Sequence, residues 1–364
     1  MTQPLAGIRV LDFTTLLPGP LATLMLAEAG AEVVKIEPPE GESMRFYPPL
    51  FGNDSAAFAM LNRGKAGLTI DLKSDAGRAE ALRLIAGADI LVEQFRPGVM
   101  ARLGLGYDAV RAINPRAIYC SITGYGQSGP RAQEAGHDRN YIGHTGLLAL
   151  APGGDPPVVP PALIADIGGG SFPAVMNILL ALRKRDMNCE GCHLDIAMTD
   201  AMFTFTWHAM ASGHAKAFPG SGEGLLAGGS PRYQLYRARD GRLVACAALE
   251  QKFWRAFCAA IGLGDALAND SINPAATRAA VSAIIAGKTS AEWHPVFAAA
   301  DCCVTIVVDL EQAMADPHFV ARGLFAHQVT GEGGTLPAMP VPIAPQFRDD
   351  AGKPKTFPLR GGKS

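Results

Sequence analysis

At 364 residues the chain is long for one domain, and two is the natural expectation. Hydrophobic residues at 48% against 18% charged ones supply a large core and exclude a disordered chain. The net charge of -2 gives no electrostatic reason to expect nucleic acid, so an anionic ligand has to be met by a local basic patch.

In chain order, Ile8–Phe13 reads as a buried strand, Pro18-Gly-Pro20 as a turn, Leu21–Ala29 as a helix and Glu32–Glu37 as a second strand. That is a β-α-β unit. The theme recurs in a helix over Asp75–Ala88 and strands over Asp89–Gln94 and Ala117–Thr123. Gly168–Leu182 and Thr199–Ala211 read as helices with the strand His193–Ala197 between them. Strands alternating with helices imply an α/β fold with a mostly parallel sheet. The composition then shifts. The glycine-rich stretch 212–231 reads as a linker, and Tyr233–Arg237 and Leu243–Leu249 flank the hairpin signal Asp240-Gly241. Helices over 251–261, 276–286 and 290–300 complete a small α+β unit spanning 232–316. Past 317 the chain is proline-rich and irregular, and is expected to pack back and complete the large domain of residues 1–211.

The N-terminus has no basic region followed by an apolar stretch, so no signal peptide is expected, and no uninterrupted run of eighteen apolar residues suggests a membrane span. Gly361-Gly-Lys-Ser364 is not an organelle address. Seven scattered cysteines read as reduced thiols, and a cytoplasmic location is expected.

The segment Gly124–Asp138 carries the most chemistry. A glycine-rich turn follows an apolar run and ends on a histidine beside a carboxylate, His137-Asp138. Histidine takes and gives a proton near neutrality. A second acid, Asp166, precedes Gly168-Gly-Gly170-Ser171 at an expected helix start, where the dipole favours its ionised form and where it also fits a cap. Glu250 ends a strand of the small unit and is a plausible partner for His137. Three competing motifs are weaker. Gly124-x-Gly126-x-x-Gly129 matches a dinucleotide fingerprint, but Pro130 follows where a helix has to begin. Cys189-Glu-Gly-Cys192-His193 matches a haem-attachment pattern, yet reads better as incidental cysteines in a polar turn. No second pair at ligand spacing supports zinc, so no metal is expected.

With these residues assembled, the chain resembles the family III (CaiB/BaiF-type) CoA-transferases, and within them their racemase members. The resemblance includes Pro4–Phe13, Leu26–Glu37, Asn62-Arg-Gly-Lys65, Thr69–Lys73, Phe95-Arg-Pro-Gly98, Arg102–Gly106, Gly124–Asp138, Ala165–Ser171 and Asp195–Met198. It implies a Rossmann-like large domain built from both chain ends, a smaller domain between long linkers, and an interlocked homodimer. The implied substrate is an acyl-CoA thioester, with coenzyme A as part of it and no prosthetic group.

Transferases of the family show Gly-Tyr-Asp where this chain has Gly136-His137-Asp138, and use that aspartate as nucleophile. Racemases show Gly-His-Asp, with the histidine as one base, an aspartate matching Asp166 as the other, and a glutamate matching Glu250 supporting the histidine. The resemblance thus implies racemisation at C2 of a 2-methyl-branched acyl-CoA, with CoA transfer through Asp138 as the alternative. Asp138 and the loop N–H groups of 136–141 are placed near the thioester carbonyl. For CoA it implies main chain at Ile70, Asp71, Leu72 and Lys73, and side chains at Lys73, Gln94 and Arg102. Gly136, Arg139, Asn140 and Tyr141 fall at the thioester end. Pro38 stands where relatives often carry an arginine for the adenosine phosphates, leaving Lys73, Arg102 and Arg45 for that task. Leu17 replaces a glutamine found in some transferases, and suits an apolar acyl group.

Overall fold

A computed structural model describes residues 3–153 and 160–360; the closing Gly361–Ser364 lies outside them. The chain divides into two compact units, one of residues 1–145, 162–204 and 317–364, the other of residues 146–161 and 205–316.

The first unit opens with β1 (Arg9–Asp12), α1 (Pro18–Glu28) and β2 (Glu32–Glu37). The two prolines do not form a separate turn; they lie in the first turn of α1, where a missing N–H costs nothing and the fixed φ suits a helix. A short hairpin, β3 (Leu50–Phe51) and β4 (Asp54–Ser55), leads to α2 (Ala56–Asn62), capped by the Ser55 hydroxyl. Then come β5 (Ala66–Thr69), α3 (Asp75–Ile85), β6 (Ile90–Glu93), α4 (Val99–Arg102), α5 (Tyr107–Ile113) and β7 (Ile118–Thr123). After α6 (Asp138–His144), a π-helical turn over Ala165–Ser171 runs directly into α7 (Phe172–Asn188), followed by β8 (Cys192–Ala197) and α8 (Met198–Phe205).

Six parallel strands pair in the order β5-β2-β1-β6-β7-β8. The chain runs outward from β1 through β2 to β5, then restarts at β6 and runs the other way. The loops after β1 and β6 therefore diverge, and leave a crevice at the carboxyl ends of these two strands. One sheet face packs on Ile85, Met100, Leu105 and Val110; α1 packs on β1, β2 and β6, and its Leu21, Leu24 and Met25 cluster with Leu61 and Val341.

The stretch Ala165–Asn188 is long and apolar enough to cross a membrane by length and composition. Here one face packs on α1, β7 and β8 and buries Ala174, Ile178 and Ala181, while Met176, Leu180 and Met187 stay exposed.

The tail beyond 317 is not wholly irregular. It holds the hairpin Gln328–Gly331 and Gly334–Pro337, and buries Val329 and Phe357 against Phe51 and Phe58 of the first unit.

The second unit begins after α8 with α9 (Trp207–Ala215) and a glycine-rich stretch. β9 (Tyr233–Arg237) and β10 (Leu243–Ala247) form the expected hairpin, and β11 (Val304–Ile306) extends it into a three-stranded sheet. Helices α10 (Gln251–Ile261), α12 (Pro274–Ile285) and α13 (Ser290–Ala300), with the short α11 (Asp265–Ala268), close over Trp254, Phe257, Trp293 and Phe297.

Candidate active site

The crevice at the strand ends is bridged at its root: the backbone N–H of Gly19, in the first turn of α1, donates to Gln94 Oε1 at 3.0 Å. Two cavities open from it. One, of about 580 Å³, is lined by Phe13, Pro38–Ser43 and Ile70–Lys73. The other, of about 370 Å³, is lined by Gln94, Arg96, Tyr125, Gly136, His137 and Tyr141 among others. Phe95 lines both.

The loop that presents His137 is shaped around Tyr141. A Cβ on Gly124 would lie 2.4 Å from the Tyr141 ring, and one on Gly136 would lie 2.5 Å from it. Only glycine lets the loop close on both sides of the ring, whose hydroxyl donates to the Gly136 carbonyl. Burial, reinforced by the acidic charges of Asp166 and Asp138, pushes the Tyr141 phenol up to about 12 and keeps it a donor. His137 then precedes α6, exposed, with its N–H donating to Asn140 Oδ1 at 3.0 Å.

Asp138 turns inward. Its Oδ1 accepts the N–H of Ala165 at 2.7 Å and of Asp166 at 3.0 Å, and the carboxylate is buried. It caps the π-helical turn that carries Asp166, a role the sequence assigned to Asp166 itself. Gly169 and Gly170 let that turn pack closely: a Cβ on Gly169 would lie 2.4 Å from the Met198 carbonyl, and one on Gly170 3.0 Å from Pro18.

The helix-dipole expectation for Asp166 is overturned. Burial first, and the neighbouring Asp138 charge second, push its carboxyl up to about 6, while His137 acts in the opposite sense. The structure thus brings His137, Asp138 and Asp166 within electrostatic reach of one another. Glu250 lies in the second unit, exposed, as the residue preceding α10.

Of the residues expected to hold CoA, Ile70, Asp71, Leu72 and Lys73 line the larger cavity, and Gln94, Gly136, Asn140 and Tyr141 the smaller. The Asp71 carboxylate accepts the Lys73 N–H at 2.9 Å and so turns the loop ahead of α3. Arg102 is exposed at the end of α4, whose Val99 lines the larger cavity, and Arg139 is exposed on α6; neither lines either cavity. Arg45 is not free for phosphate. It is buried, bonded to Glu37 and Asp54, and lies 3.9 Å over the Phe58 ring. Arg96, by contrast, lines the His137 cavity and bears on Tyr141, though the sequence marks it only as part of Phe95-Arg-Pro-Gly98.

The chain is similar to known proteins along almost its whole length. A family model described as CoA-transferase family III matches residues 5–362. Acetyl-CoA:oxalate CoA-transferase of Acetobacter aceti is 33% identical over 357 residues, covering 94% of this chain and 89% of that protein. Alpha-methylacyl-CoA racemase of Homo sapiens is 33% identical over 359 residues, covering 95% and 89%. The crystal structure of Rv3272 from Mycobacterium tuberculosis superposes with a TM-score of 0.85 at 29% identity, over 99% of this chain and 97% of that one. The chain belongs to CoA-transferase family III.

Proposed function

We propose that this protein interconverts the two configurations at C2 of a 2-methyl-branched acyl-CoA by two-base proton transfer. The observation that carries the reading is the division of labour between two acids. The Asp138 carboxylate is occupied by two backbone N–H groups, whereas Asp166 is raised to about 6 beside His137.

A thioester acidifies its α-proton, and a base on one face removes it while the electron pair moves onto the carbonyl oxygen as an enolate. An acid on the other face returns a proton to the same carbon. His137 serves one face and Asp166 the other, and their roles exchange with direction. A carboxyl near 6 is populated in both forms close to neutrality, which is what a group that must act as acid and base requires. The N–H groups of Asp138 and Arg139, in the first turn of α6, stabilise the enolate oxygen. The resemblance to the family's racemases assigns Glu250 the second imidazole nitrogen, fixing the tautomer. The CoA moiety runs through the larger cavity past Phe95, with Lys73 and Arg102 meeting its phosphates and the Gly136–Tyr141 loop at the thioester end. An interlocked homodimer and a cytoplasmic location belong to the same reading; the exposed apolar face of α7 at Met176, Leu180 and Met187 supports the dimer.

Proton NMR of a 2-methylacyl-CoA in D₂O tests the reaction. Loss of the C2 proton signal with collapse of the methyl doublet is expected. His137→Ala and Asp166→Asn should each slow it by about 10²–10⁴-fold. CoA appearing on an added carboxylate, without exchange, would instead establish transfer through Asp138.

A further inference from the structure

Glu93 closes β6, lines neither cavity itself, immediately precedes Gln94 and Phe95 of their walls, and has no part in the proton-transfer scheme. Its side chain is 4% exposed. Glu93 Oε2 accepts the N–H of Phe95 at 2.8 Å, and Phe95 is the side chain common to both cavities. Ser121 stands opposite Glu93 on β7, and its hydroxyl favours the ionised form of the carboxyl. Ser121 Oγ in turn lies 2.9 Å from His193 Nε2 on β8. The imidazole stacks on Tyr107 at 5.2 Å, with Tyr119 edge-on, and reaches solvent. A carboxyl, a hydroxyl and an imidazole thus stand in one row across β6, β7 and β8, from a buried acid to an exposed imidazole. The order is wrong for a nucleophile: the serine is central and buried, whereas a hydrolytic triad needs the histidine in the middle.

We propose that Glu93 is a positioning residue of the ligand groove, and that its negative charge and an anionic ligand in that groove exclude one another. The proposal rests on the reading that a CoA thioester occupies the two cavities. Binding is then coupled to uptake of one proton, and the row supplies the route. With Glu93 ionised, Ser121 and Phe95 donate to it, and His193 Nε2–H donates to Ser121. A proton arriving at His193 Nδ1 releases the Nε2 proton to Ser121 Oγ, and the serine's own proton passes to Glu93. Afterwards Glu93 donates to Ser121, Ser121 donates to Nε2, and the imidazole keeps the proton on Nδ1.

The surroundings favour such a switch near neutrality. Burial pushes Glu93 up to about 7, the Ser121 and Phe95 hydrogen bonds oppose this, and Asp195 on β8 adds to it. Asp195 is itself held by the Gln127 N–H. The other titratable groups touched by this charge are Tyr119 and Cys120 on β7, both raised by burial first and Glu93 second. Burial lowers His193, while Asp195 and Asp108 oppose that.

Calorimetric titration of the full-length protein with coenzyme A, from pH 6 to 8.5 in buffers of different ionisation heat, tests this. The wild type is expected to take up a proton on binding and to lose affinity above pH 7. Glu93→Gln keeps an acceptor for the Phe95 N–H but carries no charge. It should bind with no such loss, at least about fivefold tighter than wild type at pH 8. Ser121→Ala removes a donor to the ionised form and should move the midpoint to higher pH. The ligand's own phosphate titration cancels in the difference between wild type and variant. Identical pH profiles for wild type and Glu93→Gln would overturn the proposal while leaving the CoA reading intact. Absence of coenzyme A binding by the wild type at every pH would remove both.

Discussion

At the scale of single residues, the site turns on two aspartates of opposite character. Asp138 is satisfied by backbone donors, and Asp166 is crowded by it. Asp138→Asn removes that negative neighbour, so Asp166 should ionise at lower pH, and the acidic limb of α-proton exchange should shift downward. Exchange itself should survive, and because an asparagine Oδ1 can cap the same two N–H groups, stability in urea denaturation should change little. Complete loss of exchange with a normally folded variant would make Asp138 a chemical participant. His137, Asp138 and Asp166 were legible in the sequence because a polar pair after a glycine turn and an acid before a glycine run are unusual local patterns. What local pattern could not convey is which acid caps and which is strained, because that depends on a contact across 28 residues of chain. The same limit misassigned Arg45. Its charge suggested phosphate, but Glu37, Asp54 and Phe58 had already enclosed it.

At the scale of elements, the large strands and helices were legible from periodicity, since β2 and α10 have the bounds that their apolar patterns predict. The short pieces were not. β5, α4 and α6 have four, four and seven residues, too few to establish a period. The turn ahead of α3 shows how such a piece is held. Ser74 Oγ accepts the Gly77 N–H at 3.0 Å, and a Cβ on Gly77 would lie 2.0 Å from the Asp71 carbonyl. The cap and the Ile70–Lys73 wall of the larger cavity are therefore one structure. Ser74→Ala should cost about 1 kcal/mol of stability and raise KM for the CoA ester with little change in kcat. A fall in kcat at constant KM would detach this turn from ligand binding.

At the scale of the molecule, the tail is bound to the first unit by charge as well as by packing. Glu28, at the end of α1, is buried, and Arg63, Arg348 and Lys355 converge on it. Burial alone would raise its carboxyl; Lys355, Arg63 and Arg348 more than offset that, and hold it below the usual range. A depressed carboxyl contributes stability that is full above its unfolded value and is lost as pH falls through the folded one. Calorimetric melting should therefore show an acid-sensitive first unit. Glu28→Gln should lower its stability by about 3–5 kcal/mol near neutrality, because Arg63 and Arg348 lose their carboxylate partner while Lys355 keeps only Asp349. A variant that melts like wild type at pH 7 would show the cluster to be dispensable.

The same clasp sets an order of events during synthesis. Residues 205–316, almost all of the second unit, are translated between the sheet of the first unit and the segment that covers Phe51, Phe58 and Glu28. Synthesis must therefore pass Phe357 before the first unit can close, while the second can fold as soon as it emerges. The older half of the nascent polypeptide waits for the youngest, and over that interval its apolar flank is open to chaperones and to aggregation.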